Sequence, residues 1–239
     1  MDRLTIKNPL SLLRVFRVTC VLFLLLVLTI LCSLLVGTAD VSIHQLWALF
    51  SGAPNVDETA GLIVFKIRLP RIILAGLVGF SLSLGGLIFQ ALLRNPLADP
   101  FILGVSSGGA FGAVLGIIFG LSLRLGIPLL SFIWALVTIF LVLVIGRRKM
   151  GMESSTILLA GVIINAFFTA IIMFFISTSA DDRLHSMLFW LYGDLSQSCF
   201  GQSAVIAPVV FAGFVILYGL AGHLNLITAG EDTALQLGV

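Results

Sequence analysis

The side chains able to do chemistry are few and far apart. His44, His185 and His223 are widely separated, and no His-Glu-x-x-His pair is present to hold a catalytic zinc. The lysines are Lys7, Lys66 and Lys149. None follows a glycine, so there is no Gly-Lys-Ser/Thr loop to cradle a phosphate. Cys20, Cys32 and Cys199 are an odd number that cannot all pair among themselves, and they read as small apolar side chains. The charged residues lie between long runs whose interiors hold no Asp, Glu, Lys, Arg or His. Ion-coupled transporters, proton pumps and intramembrane proteases all need ionisable groups at membrane depth. These residues point away from all three, and any uphill work would draw its energy from a partner.

The elements that carry these residues follow from composition. Of 239 residues, 59% are hydrophobic and 10% charged, and the mean hydropathy is +1.19. A soluble domain has about a quarter charged residues. An ordinary soluble globule, a disordered chain and a disulfide-stapled scaffold are therefore excluded, and an all-α polytopic membrane protein remains. The net charge of +2, carried by scattered basic residues, does not suggest nucleic acid. No group of residues calls for a metal or cofactor.

A spanning helix needs about 20 apolar residues. The uncharged runs predict six spans in one membrane domain over 1–239, near 18–38, 72–93, 101–123, 127–145, 154–178 and 200–221. The first exceeds the length of a signal-peptide core, and Leu31-Cys32 lacks the small residue of a lipoprotein cleavage site, so it reads as an anchor. With the N-terminus inside, eight basic residues are cytoplasmic: Arg3, Lys7, Arg14, Arg17, Arg94, Arg147, Arg148 and Lys149. Five are outside: Lys66, Arg68, Arg71, Arg124 and Arg183. The balance favours that orientation, and the outer cluster Lys66–Arg71 stands against it. An amphipathic helix is expected around Ile43–Phe50, and a short interfacial helix after Asp181 carries Trp190 and Tyr192.

The third run carries Gly104, Gly108, Gly112, Gly116 and Gly120, every fourth residue. That spacing keeps neighbouring glycines on one slowly drifting helix face, where another backbone can approach closely in lipid. Two readings stay open, a fixed packing seam and a smooth face along which a neighbour slides. Asn165 in the fifth run is either an interhelical hydrogen-bonder or part of a path.

Several motifs occur in a fixed order. Arg68-Leu69-Pro70-Arg71 enters the second span, and Gln90 through Pro100 leaves it as QALLRNPLADP. Leu103 through Ala110 (LGVSSGGA) opens the third, and Leu159-Ala160-Gly161 and Leu188 through Ser196 (LFWLYGDLS) follow. Gly230 through Val239 (GEDTALQLGV) comes last. In this order and spacing the chain resembles the FecCD/BtuC-type permeases of ABC importers for iron–siderophores, haem and cobalamin. The motifs cover nearly all of residues 60–239.

The resemblance implies a type II importer permease, with six of the family's roughly ten spans present, in a bacterial inner membrane with its N-terminus cytoplasmic. It implies a second permease, identical or not, a cytoplasmic ATPase dimer that hydrolyses the ATP, and a periplasmic or lipid-anchored binding protein. The permease itself is then not an enzyme. By the same resemblance, Arg68 and Arg71 dock acidic groups of the binding protein, although snorkelling at the interface would need the same residues. Gly230, Glu231, Ala234, Leu237 and Gly238 belong to the start of a coupling helix over 228–239, with Thr228 as its cap. Arg94, Asn95, Pro96, Asp99 and Pro100 form a tight cytoplasmic turn. Gly104, Gly108, Gly112, Gly116 and Asn165 belong to packing or to the path.

A family member continues beyond Val239, so the chain is expected to be a truncated or partial copy that does not transport alone. Ferric siderophore is the expected cargo, with haem and cobalamin as alternatives. A non-transporting membrane scaffold that still contacts an ATPase is the reading from another class.

Overall fold

The computed structural model describes residues 12–52, 57–148, 151–152, 154–179, 181–230, 234 and 236–238. These are helical almost throughout: α1 (Leu12–Leu35), α2 (Ile43–Ser51), α3 (Glu58–Leu62), α4 (Leu69–Leu93), α5 (Val105–Ile118), α6 (Gly126–Gly146), α7 (Ser154–Thr178), α8 (Asp181–Tyr192), α9 (Phe200–Gly219) and α10 (Ala221–Ala229). One two-residue antiparallel pairing, Arg147–Arg148 with Gly151–Met152, follows α6. Among the described residues, five helical stretches are long and apolar enough to cross a membrane: Leu12–Leu35, Glu58–Leu93, Gly126–Gly146, Ser155–Thr178 and Phe200–Gly219. The chain divides into two compact units, Met1–Gly76 with Ser196–Val205, and Leu77–Leu195 with Ile206–Val239.

In the first unit, α1 is apolar all round beyond Arg14 and Arg17 in its first turns and buries only Leu34. α2 starts with reciprocal bonds: the Gln45 N–H donates to Ser42 Oγ at 3.1 Å, and the Ser42 N–H donates to Gln45 Oε1 at 2.9 Å. α3 starts where the Thr59 N–H donates to Asp57 Oδ1 at 3.0 Å. α3 then passes into α4 through one π-helical stretch, Ile63–Arg68. Pro70 explains why the helix widens here. Its ring has no N–H and would crowd the carbonyl one turn earlier in a regular α-helix. The bond from the Leu69 N–H back to Val64 O gives the crowded turn an extra residue. Val64 is fully buried with Leu34, Val41 and Leu46 in the small core of this unit.

In the second unit, the buried element is α5. Nine of its 14 residues are buried, and it packs against α6, α7 and α8. The main core runs from Phe111, Val114 and Ile127 to Phe168, Ile172 and Met187. The Phe111 ring stacks on Phe168 at 5.0 Å and meets Trp134 edge-on at 4.7 Å.

Candidate functional site

Arg68 and Arg71 stand one turn apart but have different surroundings. Arg71 is exposed, and its Nη2 donates to the Ser196 carbonyl at 3.2 Å. Arg68 is only 8% exposed. Its Nη1 donates to the carbonyl of Leu34 in the last turn of α1, and its Nη2 donates to the carbonyl of Ala39 in the link that follows. Gly37 lies against the guanidinium, so that a β-carbon there would sit 2.5 Å from Nη2. The sequence spacing treats the two arginines as a pair, whereas the structure uses one inward and one outward. Lys66, two residues before Arg68, is also exposed.

The chain between α4 and α5 is more than a loop. α4 ends with Arg94 in the left-handed region at φ 50, the Arg94 N–H on Ala91 O and the Asn95 N–H on Gln90 O. This is the helix-closing arrangement that usually takes glycine. Pro100 then packs against Gly85 and Gly86, with 3.5 Å between a Gly85 β-carbon and Pro100 Cγ. Gly85 lies two turns before the end of α4, about 12 Å along its axis. The segment therefore runs back beside the helix it has just left. Irregular backbone at that depth must satisfy its own polar groups. Asn95 Oδ1 accepts the Leu97 N–H at 2.9 Å, and Asp99 Oδ1 accepts the Phe101 N–H at 2.8 Å. Backbone bonds from Ala98 to Asn95, Ile102 to Asp99 and Gly104 to Phe101 do the rest.

This return path explains why the third apolar run is helical only over Val105–Ile118. Its first residues are turns, and Gly104 starts the helix from φ +73. A β-carbon at Gly104 would lie 3.2 Å from the Gly161 carbonyl and 3.4 Å from the Asn165 nitrogen, so this glycine brings α5 onto α7. Gly108, Gly112 and Gly116 face α6. A Gly108 β-carbon would collide with Thr138 Oγ1, and one at Gly112 would sit 2.5 Å from Leu130 O. The Thr138 hydroxyl donates to Trp134 O at 2.7 Å, which leaves its oxygen no polar demand on α5. The stripe therefore meets a neighbour within its own unit at backbone distance.

A cavity of about 770 Å³ opens beside the start of α5, between α5, α6, α7 and α8. Ser106, Ser107, Ser131, Asn165, Thr169 and Trp190 supply its polar and aromatic lining, and none of the described lining residues is charged. The Ser107 hydroxyl is tied to Gly104 O at 2.9 Å. Gly104 and Asn165 are thus brought together as sequence reasoning grouped them. Ser131, Thr169 and Trp190 were missed as partners. The only signal for Ser131 was a small polar residue in an otherwise apolar run.

At the C-terminal end, Thr228 lies inside α10, and its hydroxyl donates to Asn225 O at 2.7 Å. It therefore does not cap a following helix as expected. Gly230 ends α10 with φ 133, and the Ala234 N–H donates to Gly230 O at 2.9 Å. Ala234 is buried, Leu237 exposed, and Gly238 left-handed at φ 83. Glu231, Asp232, Thr233, Leu235 and Val239 lie outside the described residues.

Comparison with known proteins fits this architecture. Residues 25–239 match the model of the FecCD transport family. The uncharacterized ABC transporter permease protein YvrB of Bacillus subtilis is 40% identical over 196 residues, which are 80% of this chain and 55% of that one. The cobalamin import system permease protein BtuC of Halobacterium salinarum is 38% identical over 185 residues, 77% of this chain and 50% of that one. A solved inward-facing ABC transporter assigned to the metal-chelate type aligns with a TM-score of 0.79 at 32% identity, covering 93% of this chain and 68% of that one. The chain spans about half the length of these curated relatives. Matched over all but its first residues, it belongs to the FecCD transport family.

Proposed function

We propose that this chain is the permease part of an ATP-driven importer that moves a bulky metal chelate, ferric siderophore first among them, across a bacterial inner membrane. The observation that carries this reading is the cavity of about 770 Å³, uncharged among its described lining residues and walled by four packed helices of a multi-pass permease family. A cavity without fixed charge offers a large neutral cargo room and only weak hydrogen-bonding partners. That suits passage rather than retention. The solved relative of the metal-chelate type supports this cargo class. The cobalamin permease makes a corrinoid the first alternative.

In this reading the N-terminus is cytoplasmic, and a second permease copy or homologue completes the path. An ATPase dimer supplies the energy through 228–239, and a binding protein delivers cargo to the α4 head around Arg68 and Arg71. There the exposed Arg71 offers a forked partner for a carboxylate. The turn Arg94–Pro100 and the glycines of α5 hold the cavity wall in place.

The test is uptake. The full-length protein is placed in liposomes with its ATPase and binding protein, and radiolabelled ferric siderophore, haem and cobalamin are offered in parallel. ATP-dependent accumulation of the siderophore is the expected result. Accumulation of another cargo would correct the substrate, and ATP-independent or absent uptake of all three would overturn the reading.

A further inference from the structure

We infer that α2 lies in the headgroup layer of the membrane, with Ile43, Trp47 and Phe50 as its lipid contact. This helix has two apolar faces, and only one of them is used inside the protein. Leu46 is buried in the small core with Leu34, Val41 and Val64. Leu49 packs on α3, where a β-carbon at Gly61 would sit 3.3 Å from Leu49 Cδ2. On the other face Ile43 is 73% exposed, Trp47 74% and Phe50 60%. Spacings of four and then three residues keep these side chains on one stripe. The Phe50 ring also meets Phe65 edge-on at 5.8 Å, which fixes that end of the stripe to the unit.

What covers the stripe follows from the helix beside it. α1 is long and apolar enough to cross a membrane, and it buries only Leu34. Its 24 residues extend about 36 Å, a little more than the roughly 30 Å of hydrocarbon, so its end lies at the edge of the lipid core. Leu34, in the last turn, shares a core with Leu46. α2 is therefore held at the level where acyl chains give way to headgroups. A helix at that level gains by laying an apolar face into the acyl boundary. Tryptophan suits the position because its ring is apolar and its N–H polar. The sequence of α2, IHQLWALFS, holds no Asp, Glu, Lys or Arg, so no such charge has to leave water. His44 and Ser51 flank the stripe and are exposed. The capping box at Ser42 and the left-handed Gly52 at φ 70 close both ends, so the helix keeps its shape at a surface. The inference depends neither on the cargo nor on which side of the membrane α2 occupies.

The experiment places the full chain in phosphatidylcholine–phosphatidylglycerol liposomes, with Cys20, Cys32 and Cys199 replaced by serine. Ile43→Cys, His44→Cys, Trp47→Cys, Phe50→Cys and Ser51→Cys are made one at a time and spin-labelled. Collisions with oxygen, which dissolves in lipid, are compared with collisions with a water-soluble nickel chelate. Labels at 43, 47 and 50 should lie about 5–10 Å below the headgroup boundary, and labels at 44 and 51 should favour the nickel chelate. Because Trp47→Cys removes the ring itself, its native contact is read in the chain with its own cysteines. There the emission lost in Trp47→Phe is the emission of Trp47, and phospholipids brominated near the carbonyl end of the acyl chain should quench it. Nickel access at 43, 47 and 50 equal to that at 44 and 51 would put the stripe in water. Exclusion of both reagents from it would put a protein partner there instead. Either result, or Trp47 emission that brominated lipid leaves unquenched, would overturn the inference.

Discussion

The two units hold their helices by opposite means. In the first, a buried guanidinium reaches across to carbonyls at the end of α1. In the second, α5 and α6 touch because side chains are missing, with Gly108, Gly112 and Gly116 letting backbone meet backbone. In lipid, apolar side chains gain little by leaving one apolar surface for another. Helices then associate either through polar groups that would otherwise go unsatisfied or through dispersion at very short range. The first device depends on one residue, and the second on every member of a stripe.

That contrast can be broken most directly at Gly112. Gly112→Val places its side chain against Leu130 O and Trp134 Cβ, neither of which can turn away. A loss of about 3 kcal/mol is expected from overpacking, seen as a fall in thermal unfolding temperature in detergent or as loss of folded protein. Native-like unfolding would mean that α5 and α6 do not meet as described.

Gly104→Ala should cost less, about 1–2 kcal/mol, because it forces a side chain into the left-handed region. The added carbon also faces the Gly161 carbonyl at 3.2 Å. The same unfolding assay should show an intermediate shift.

Gly79→Ala has nothing within 4 Å of the added carbon. A gain of up to about 1 kcal/mol in helix propensity is expected. A marked loss there would show that glycine content matters and not contact.

The smallest stability effect belongs to Arg71→Glu, within about 0.5 kcal/mol for an exposed position. Its binding-protein affinity, measured by surface plasmon resonance at low salt, should nevertheless collapse. If Arg71→Glu destabilises as much as Arg68→Met, the inward and outward assignment of the two arginines fails.

Much of the fold is legible in the chain as written. The uncharged run after Glu153 becomes α7, and the amphipathic stretch around Ile43–Phe50 becomes α2. These signals are local, and a helix needs only local bonds. The third run was the least legible. Its residues from Phe101 are as apolar as a span, yet Asn95, Pro96, Asp99 and Pro100 build turns that return beside Gly85 and Gly86 before the helix can begin. Hydropathy cannot separate buried irregular backbone from helix, because both are uncharged. Arg68 shows the same limit, since the motif marks it but its spacing from Arg71 is silent on which way each one turns.

Composition and the long uncharged runs determined that this is a multi-helix membrane chain whose charges gather near the ends of its apolar stretches, because a low-dielectric solvent excludes charge whatever the arrangement. Tertiary structure decided the rest. It sent one arginine inward and the next outward, seated a glycine stripe on its own neighbour and left a neutral cavity beside a helix start. Those outcomes depend on which carbonyls and which backbones come within a few ångströms, and sequence distance carries no record of that.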